Sequence, residues 1–106
     1  MSYRFMRMLI FFDLPTDTVE DRRNYRKFRN GLIKAGFIMM QESVYCKLLL
    51  NASAERTIRE AVRKIQPPKG IVQLLTITEK QFSKIEYLTG SFHSDIISSD
   101  ERMIVL

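Results

Sequence analysis

The chain has 106 residues, 45% hydrophobic and 10% aromatic, with a formal net charge of +5 from 17 Lys+Arg and 12 Asp+Glu. That is the length of one domain over 1–106 with a modest core, and the composition excludes a disordered or collagen-like chain. A lone cysteine, Cys46, excludes an internal disulfide or a multi-cysteine zinc site. No apolar run approaches the ~20 residues that span a bilayer. Arg4 and Arg7 also interrupt the N-terminal apolar residues too early for a secretory leader, so a cytoplasmic protein with no membrane partner is expected. The excess positive charge favours a polyanionic partner.

In chain order, the segment from Tyr3 alternates loosely and becomes continuously apolar from Met8 to Phe12, which predicts a strand buried on both faces and ending at Asp13. Leu14-Pro15 stops it. Thr16-Asp17-Thr18 then offers two helix starts, Asp17 with Glu20 or Thr18 with Asp21. The stripe Tyr25, Phe28, Leu32, Ala35 predicts a helix over 18–35, with Gly36 as its left-handed cap. Phe37–Met40 and Ser43–Leu50 read as two strands joined by a tight or bulged connection. Asn51-Ala52-Ser53 caps a second helix, about 54–65, on the spacing of Ile58, Ala61, Val62 and Ile65. Pro67-Pro68-Lys69-Gly70 ends it, and the β-branched run Ile71–Thr78 follows as a strand. After a less regular stretch and a Ser-rich link, the apolar tail Arg102–Leu106 is expected to add a strand to a sheet edge, in its own chain or a partner's. The order βαββαβ predicts an α+β, ferredoxin-like domain with an extra C-terminal edge strand.

Two features carry chemistry. Asp13 ends the first strand, where a carboxylate is held rigidly yet reaches solvent. That placement suits a hard cation such as Mg²⁺ once a second carboxylate is brought close, although an Asp before Leu-Pro also commonly caps a turn. Secondly, Arg22, Arg23, Arg26, Lys27, Arg29 and Lys34 stand within positions 22–34 with no acid among them, on the side of the helix away from the apolar stripe. Like charges at that spacing disfavour a helix slightly, so the face is expected to meet a phosphate backbone rather than to stabilise the fold. His93, the only histidine, lies in the polar tail, and Cys46 reads as a small core residue. Glycine-rich phosphate loops are absent. The segment Val44-Tyr45-Cys46-Lys47-Leu48 also lacks the aromatic, glycine-containing pattern of an RRM third strand.

Taken together, the apolar strand ending Phe11-Phe12-Asp13-Leu14-Pro15, the basic helix with Tyr25-Arg26-Lys27-Phe28-Arg29, and Gly36-Phe37-Ile38 form ordered blocks. With Gln41-Glu42-Ser43-Val44-Tyr45 and the run Leu74–Phe82, they strongly resemble the CRISPR-associated protein 2 family, in the version found beside type II systems. The resemblance implies a homodimer that works in spacer acquisition, bridging CRISPR integrase subunits and holding double-stranded prespacer DNA. It also implies a metal-dependent endonuclease acting on single-stranded RNA or on DNA. In that picture one Mg²⁺ per dimer lies between paired Asp13 residues, with Ser43 and Phe12 lining the cleft; Phe12 stands where many relatives carry Tyr. Arg22, Arg26, Lys27, Arg29 and Arg7 are the expected nucleic-acid contacts. A toxin-like endoribonuclease of the same fold is the alternative, set apart by its lack of need for an integrase-binding edge.

Overall fold

The computed structural model describes residues 5–91. In chain order it contains β1 (Met6–Asp13), α1 (Val19–Lys34), β2 (Ile38–Gln41), β3 (Val44–Leu49), α2 (Ala52–Lys64), β4 (Ile71–Thr78) and a short α3 (Glu79–Phe82). The strands form one antiparallel sheet in the order β2-β3-β1-β4. A βαββαβ chain reaches that order when each helix carries it past one strand. The expected α+β, ferredoxin-like architecture is present. The edge strand expected over 102–106 lies outside the described residues, and so does His93.

Local chemistry explains the boundaries. Of the two possible starts for α1, Thr18 with Asp21 is the one used. The Thr18 hydroxyl accepts from the Asp21 N–H at 3.0 Å, and the Asp21 carboxylate accepts from the Thr18 N–H at 3.3 Å. The helix ends at Ala35, and Gly36 turns the chain with φ +98°. α2 begins two residues earlier than its apolar spacing suggests, because Asn51 caps it by accepting from the Ala54 N–H at 2.7 Å. The β2–β3 pairing shifts register between Met39 and Gln41, which places a bulge before the Glu42-Ser43 turn. α3 was not expected. Its signal is a capping box, Thr78 with Gln81, immediately after β4.

β1 shows how the sheet sorts its two faces. Met8, Ile10 and Phe12, with Leu14 beyond them, pack under the helices against Phe28, Leu32 and Val62, and Tyr45 and Leu49 of β3 complete that core. Phe12 is its aromatic centre, with ring centroids 5.3 Å from Phe28, 5.6 Å from Tyr45 and 6.0 Å from Tyr25. The alternate residues of β1, Arg7, Leu9, Phe11 and Asp13, face the other way. Register places Cys46 and Leu48 of β3, and Leu75 and Ile71 of β4, on that same side. Among the described residues only the short α3 lies over it, at the Arg7 end; Leu9 and Cys46 are buried there, while Leu48, Leu75 and Ile71 stay 43%, 49% and 59% exposed.

Candidate functional site

Asp13 is the last residue of β1 and is exposed. Two neighbours fix the backbone there. The Phe12 N–H donates to the Ser43 carbonyl at 3.0 Å, which draws the β2–β3 turn against the end of β1. Gly70, at φ +90°, lies so close that a Cβ would stand 2.6 Å from the Asp13 carbonyl oxygen and 2.7 Å from Leu14 Cδ2. Only glycine satisfies both that conformation and that approach. Ser43 is therefore beside the Asp13 end of the sheet, through its backbone, with its side chain exposed.

Phe12 is not where the cleft reading puts it. Its ring points under the helices and is 4% exposed, because adjacent residues of a strand face opposite ways and Asp13 takes the open side.

The donor chemistry at Asp13 fits part of a Mg²⁺ site. Mg²⁺ takes oxygen ligands, commonly one or two carboxylates with retained waters, and an exposed carboxylate on a rigid strand end is such a ligand. Among the described residues no group of three or more His, Cys, Asp or Glu gathers to hold a metal within one chain.

Five basic residues were expected to meet nucleic acid, and the structure separates them. Arg26 and Lys27 are exposed on α1. Arg22 is exposed too, and its Nη1 donates to the Thr16 and Asp17 carbonyls at 3.0 and 3.2 Å. Arg29 departs from the expected outer face. It is half-buried at the seam between α1 and the sheet, with Nε donating to the Tyr45 hydroxyl at 3.0 Å. Four residues after Tyr25 along the helix, it is rotated only about 40° from the apolar stripe.

Arg7 lies apart from the α1 residues. It sits on the side of the sheet away from α1 and α2, with its guanidinium doubly bonded to Glu79, at 2.9 Å from Nε and 2.7 Å from Nη2, and its side chain is 15% exposed. Phe82 lies against it at 4.3 Å from the ring centroid. Burial works against the charge, but the Glu79 carboxylate outweighs it and holds the Arg7 pKa above the ordinary value. Such a clamped arginine fastens α3 to the sheet. Its Nη1 also lies 3.9 Å from the Cys46 sulfur, yet burial pushes that thiol's pKa up, as befits a core residue rather than a nucleophile.

Among the described residues no helix is long and apolar enough to cross a membrane. Residues 6–85 match the family described as CRISPR associated protein Cas2. The chain belongs to this family. Similar curated proteins include one from Treponema denticola, 48% identical over 95% of this chain and 100% of its own length. Another, from Streptococcus mutans, is 50% identical over 95% of this chain and 93% of its own. A third, from Ligilactobacillus salivarius, is 43% identical over 95% and 100%. All three are named CRISPR-associated endoribonuclease Cas2. The crystal structure of Streptococcus pyogenes Cas2 at pH 6.5 shares the Cas2 fold with a TM-score of 0.59, at 17% identity, over 78% of this chain and 99% of that one.

Proposed function

We propose that the chain acts in CRISPR adaptation as a homodimer that holds double-stranded prespacer DNA between integrase subunits, and that paired Asp13 residues give it Mg²⁺-dependent nuclease activity. The observation that carries this reading is the set of exposed apolar residues on the side of the sheet away from α1 and α2, with exposed Asp13 at its end. A side that leaves Leu48, Leu75 and Ile71 in water favours a second copy. A two-fold axis supplies the second carboxylate that one chain lacks. A Mg²⁺ held between the two carboxylates would polarise the scissile phosphate and activate water. The chain's own part is to fix the Asp13 backbone through Ser43 and Gly70, and to hold the nucleic acid through α1. RNA cleavage is supported by the relatives' name, endoribonuclease; duplex binding is supported by the basic face.

Asp13→Asn tests the two halves separately. Cleavage of single-stranded RNA and of duplex DNA is measured with Mg²⁺ and with EDTA, alongside sedimentation to follow the dimer. The variant is expected to remain dimeric and to lose metal-dependent cleavage. Spacer acquisition in cells carrying Asp13→Ala is expected to persist, because scaffolding needs no chemistry at this residue. Wild-type cleavage by Asp13→Asn refutes the paired-carboxylate site; loss of acquisition in a dimeric Asp13→Ala refutes the scaffold.

A further inference from the structure

Arg22, Arg26 and Arg29 follow one another at i, i+4 and i+7, so they form a single stripe along the flank of α1. Its two ends are held by the protein. Arg22 is tied to the Thr16 and Asp17 carbonyls, and Arg29 to the Tyr45 hydroxyl. We propose that Tyr45 is a positioning residue for nucleic-acid binding, its buried hydroxyl aiming the Arg29 guanidinium at a backbone phosphate. The inference rests on the reading of α1 as the nucleic-acid face and deepens it.

Tyr45 is suited to hold another side chain still. It is fully buried in β3, paired with Ile10 of β1 and Met39 of β2, and its ring packs against Phe12. The hydroxyl at its tip accepts from Arg29 Nε and uses only that edge of the guanidinium. Among the described residues the Arg29 side chain makes no other hydrogen bond or ion pair. Both Nη groups are therefore free to form the bidentate fork that suits a phosphate. A free arginine loses much rotamer freedom when it binds. One held in advance by a rigid acceptor loses less, and the difference appears as affinity without any added charge.

That last point supplies the test. Binding of a short labelled DNA duplex is measured over a salt series for wild type, Tyr45→Phe, Arg29→Ala, the Tyr45→Phe/Arg29→Ala double variant, and Arg26→Glu/Lys27→Glu. Thermal melts confirm that each variant is folded. Tyr45→Phe keeps the ring and the charge, so it is expected to weaken binding about 2- to 10-fold, the worth of ordering one long side chain, with the salt slope unchanged. Arg29→Ala is expected to lower the slope by about 0.9 per lost phosphate contact. In its background, Tyr45→Phe is expected to have no further effect. Wild-type affinity in Tyr45→Phe, or the same loss with and without Arg29, overturns the proposal while the α1 reading stands. Wild-type binding by Arg26→Glu/Lys27→Glu removes the α1 reading itself, and this inference with it.

Discussion

α1 and α2 cover the same face of one sheet and are capped by similar chemistry, yet they treat charge in opposite ways. α2 pairs its charges internally. Glu55 takes two hydrogen bonds from Arg59, at 3.1 and 2.6 Å, and one at 2.9 Å from the Thr76 hydroxyl of β4, while Glu60 pairs with Arg63 at 2.6 Å. α1 has no acid between Arg22 and Lys34, and its bonded arginines meet only neutral oxygens: two carbonyls and a phenol. Repulsion between like charges three and four apart costs a helix a few tenths of a kcal/mol per pair, so a surface selected for stability would resemble α2. In α2, charge belongs to the internal structure. In α1, Arg26 and Lys27 have no hydrogen-bond or ion-pair partner for their side chains among the described residues.

The sharpest way to break this contrast is to make the same change of charge on each helix. Arg26→Glu/Lys27→Glu on α1 and Arg56→Glu/Lys64→Glu on α2 each reverse two exposed basic residues. If net charge alone drew the duplex, the two variants would bind alike. If α1 is the contact surface, its variant loses affinity by on the order of 10²-fold or more, since each charge-assisted hydrogen bond is worth ~1.5 kcal/mol or above. The α2 variant changes only long-range attraction, about threefold or less at physiological salt. Anisotropy titrations of both against one duplex decide the matter, and equal losses would remove the distinction between the helices.

A second contrast is in acid. The hydrogen bonds from Arg59 hold the Glu55 carboxyl below its ordinary pKa, against partial burial, with Thr76 assisting. For Asp21, burial pushes upward, but the bonds from Thr18 and the nearby Lys69 ammonium outweigh it and bring the pKa down. Both groups are depressed in the folded state. Their contribution is present above the unfolded carboxylate pKa and is lost as pH falls through the folded value. The melting temperature is therefore expected to hold from neutral pH to about pH 5 and to decline below it. Glu55→Gln is expected to lower stability at neutral pH and to flatten that decline. Arg26→Ala, which removes no acid and breaks no internal pair, is expected to leave the acid limb unchanged. An acid limb equally steep in Glu55→Gln would assign the loss to other carboxylates.

How far the sequence discloses these arrangements depends on the range of the interaction. The element order, a cap at Asp17 or Thr18 and the turn at Gly36 rest on residues within a few positions of one another, and the structure follows them, using Thr18. The facing of β1 is harder to read. Met8 to Phe12 is apolar on both sides, so alternation gives no direction until Asp13 is seen to be exposed; parity then sends Phe12 inward. Arg7 is unreadable locally, because its partner Glu79 lies 72 positions away on a helix packed against the sheet. α3 itself was legible, from Thr78 and Gln81 at capping-box spacing. Arg29 was legible as well, since the helical projection that separates Arg26 from the apolar stripe places Arg29 close to Tyr25.

The smallest expected effect concerns how α1 stays folded without help from its surface charges. Phe28 and Leu32 anchor its middle, and Thr18 and Asp21 close its N-terminus reciprocally, in a partly buried setting reinforced by Lys69 at 3.4 Å from the Asp21 carboxylate. The N-terminus of α2 has a single side-chain cap, in which the exposed Asn51 Oδ1 accepts from the Ala54 N–H. Replacing either cap with Ala costs about 0.5–2 kcal/mol in general. Thr18→Ala is expected at the upper part of that range, since the Asp21 N–H it leaves unpaired has little access to water. Asn51→Ala belongs at the lower part, where solvent replaces the lost acceptor and the Glu55–Arg59–Thr76 bridge still ties α2 to β4. Urea unfolding midpoints, compared at constant slope, measure both. A cost for Asn51→Ala that equals or exceeds the cost for Thr18→Ala would mean that the reciprocal, partly buried box of α1 is worth no more than a single exposed cap.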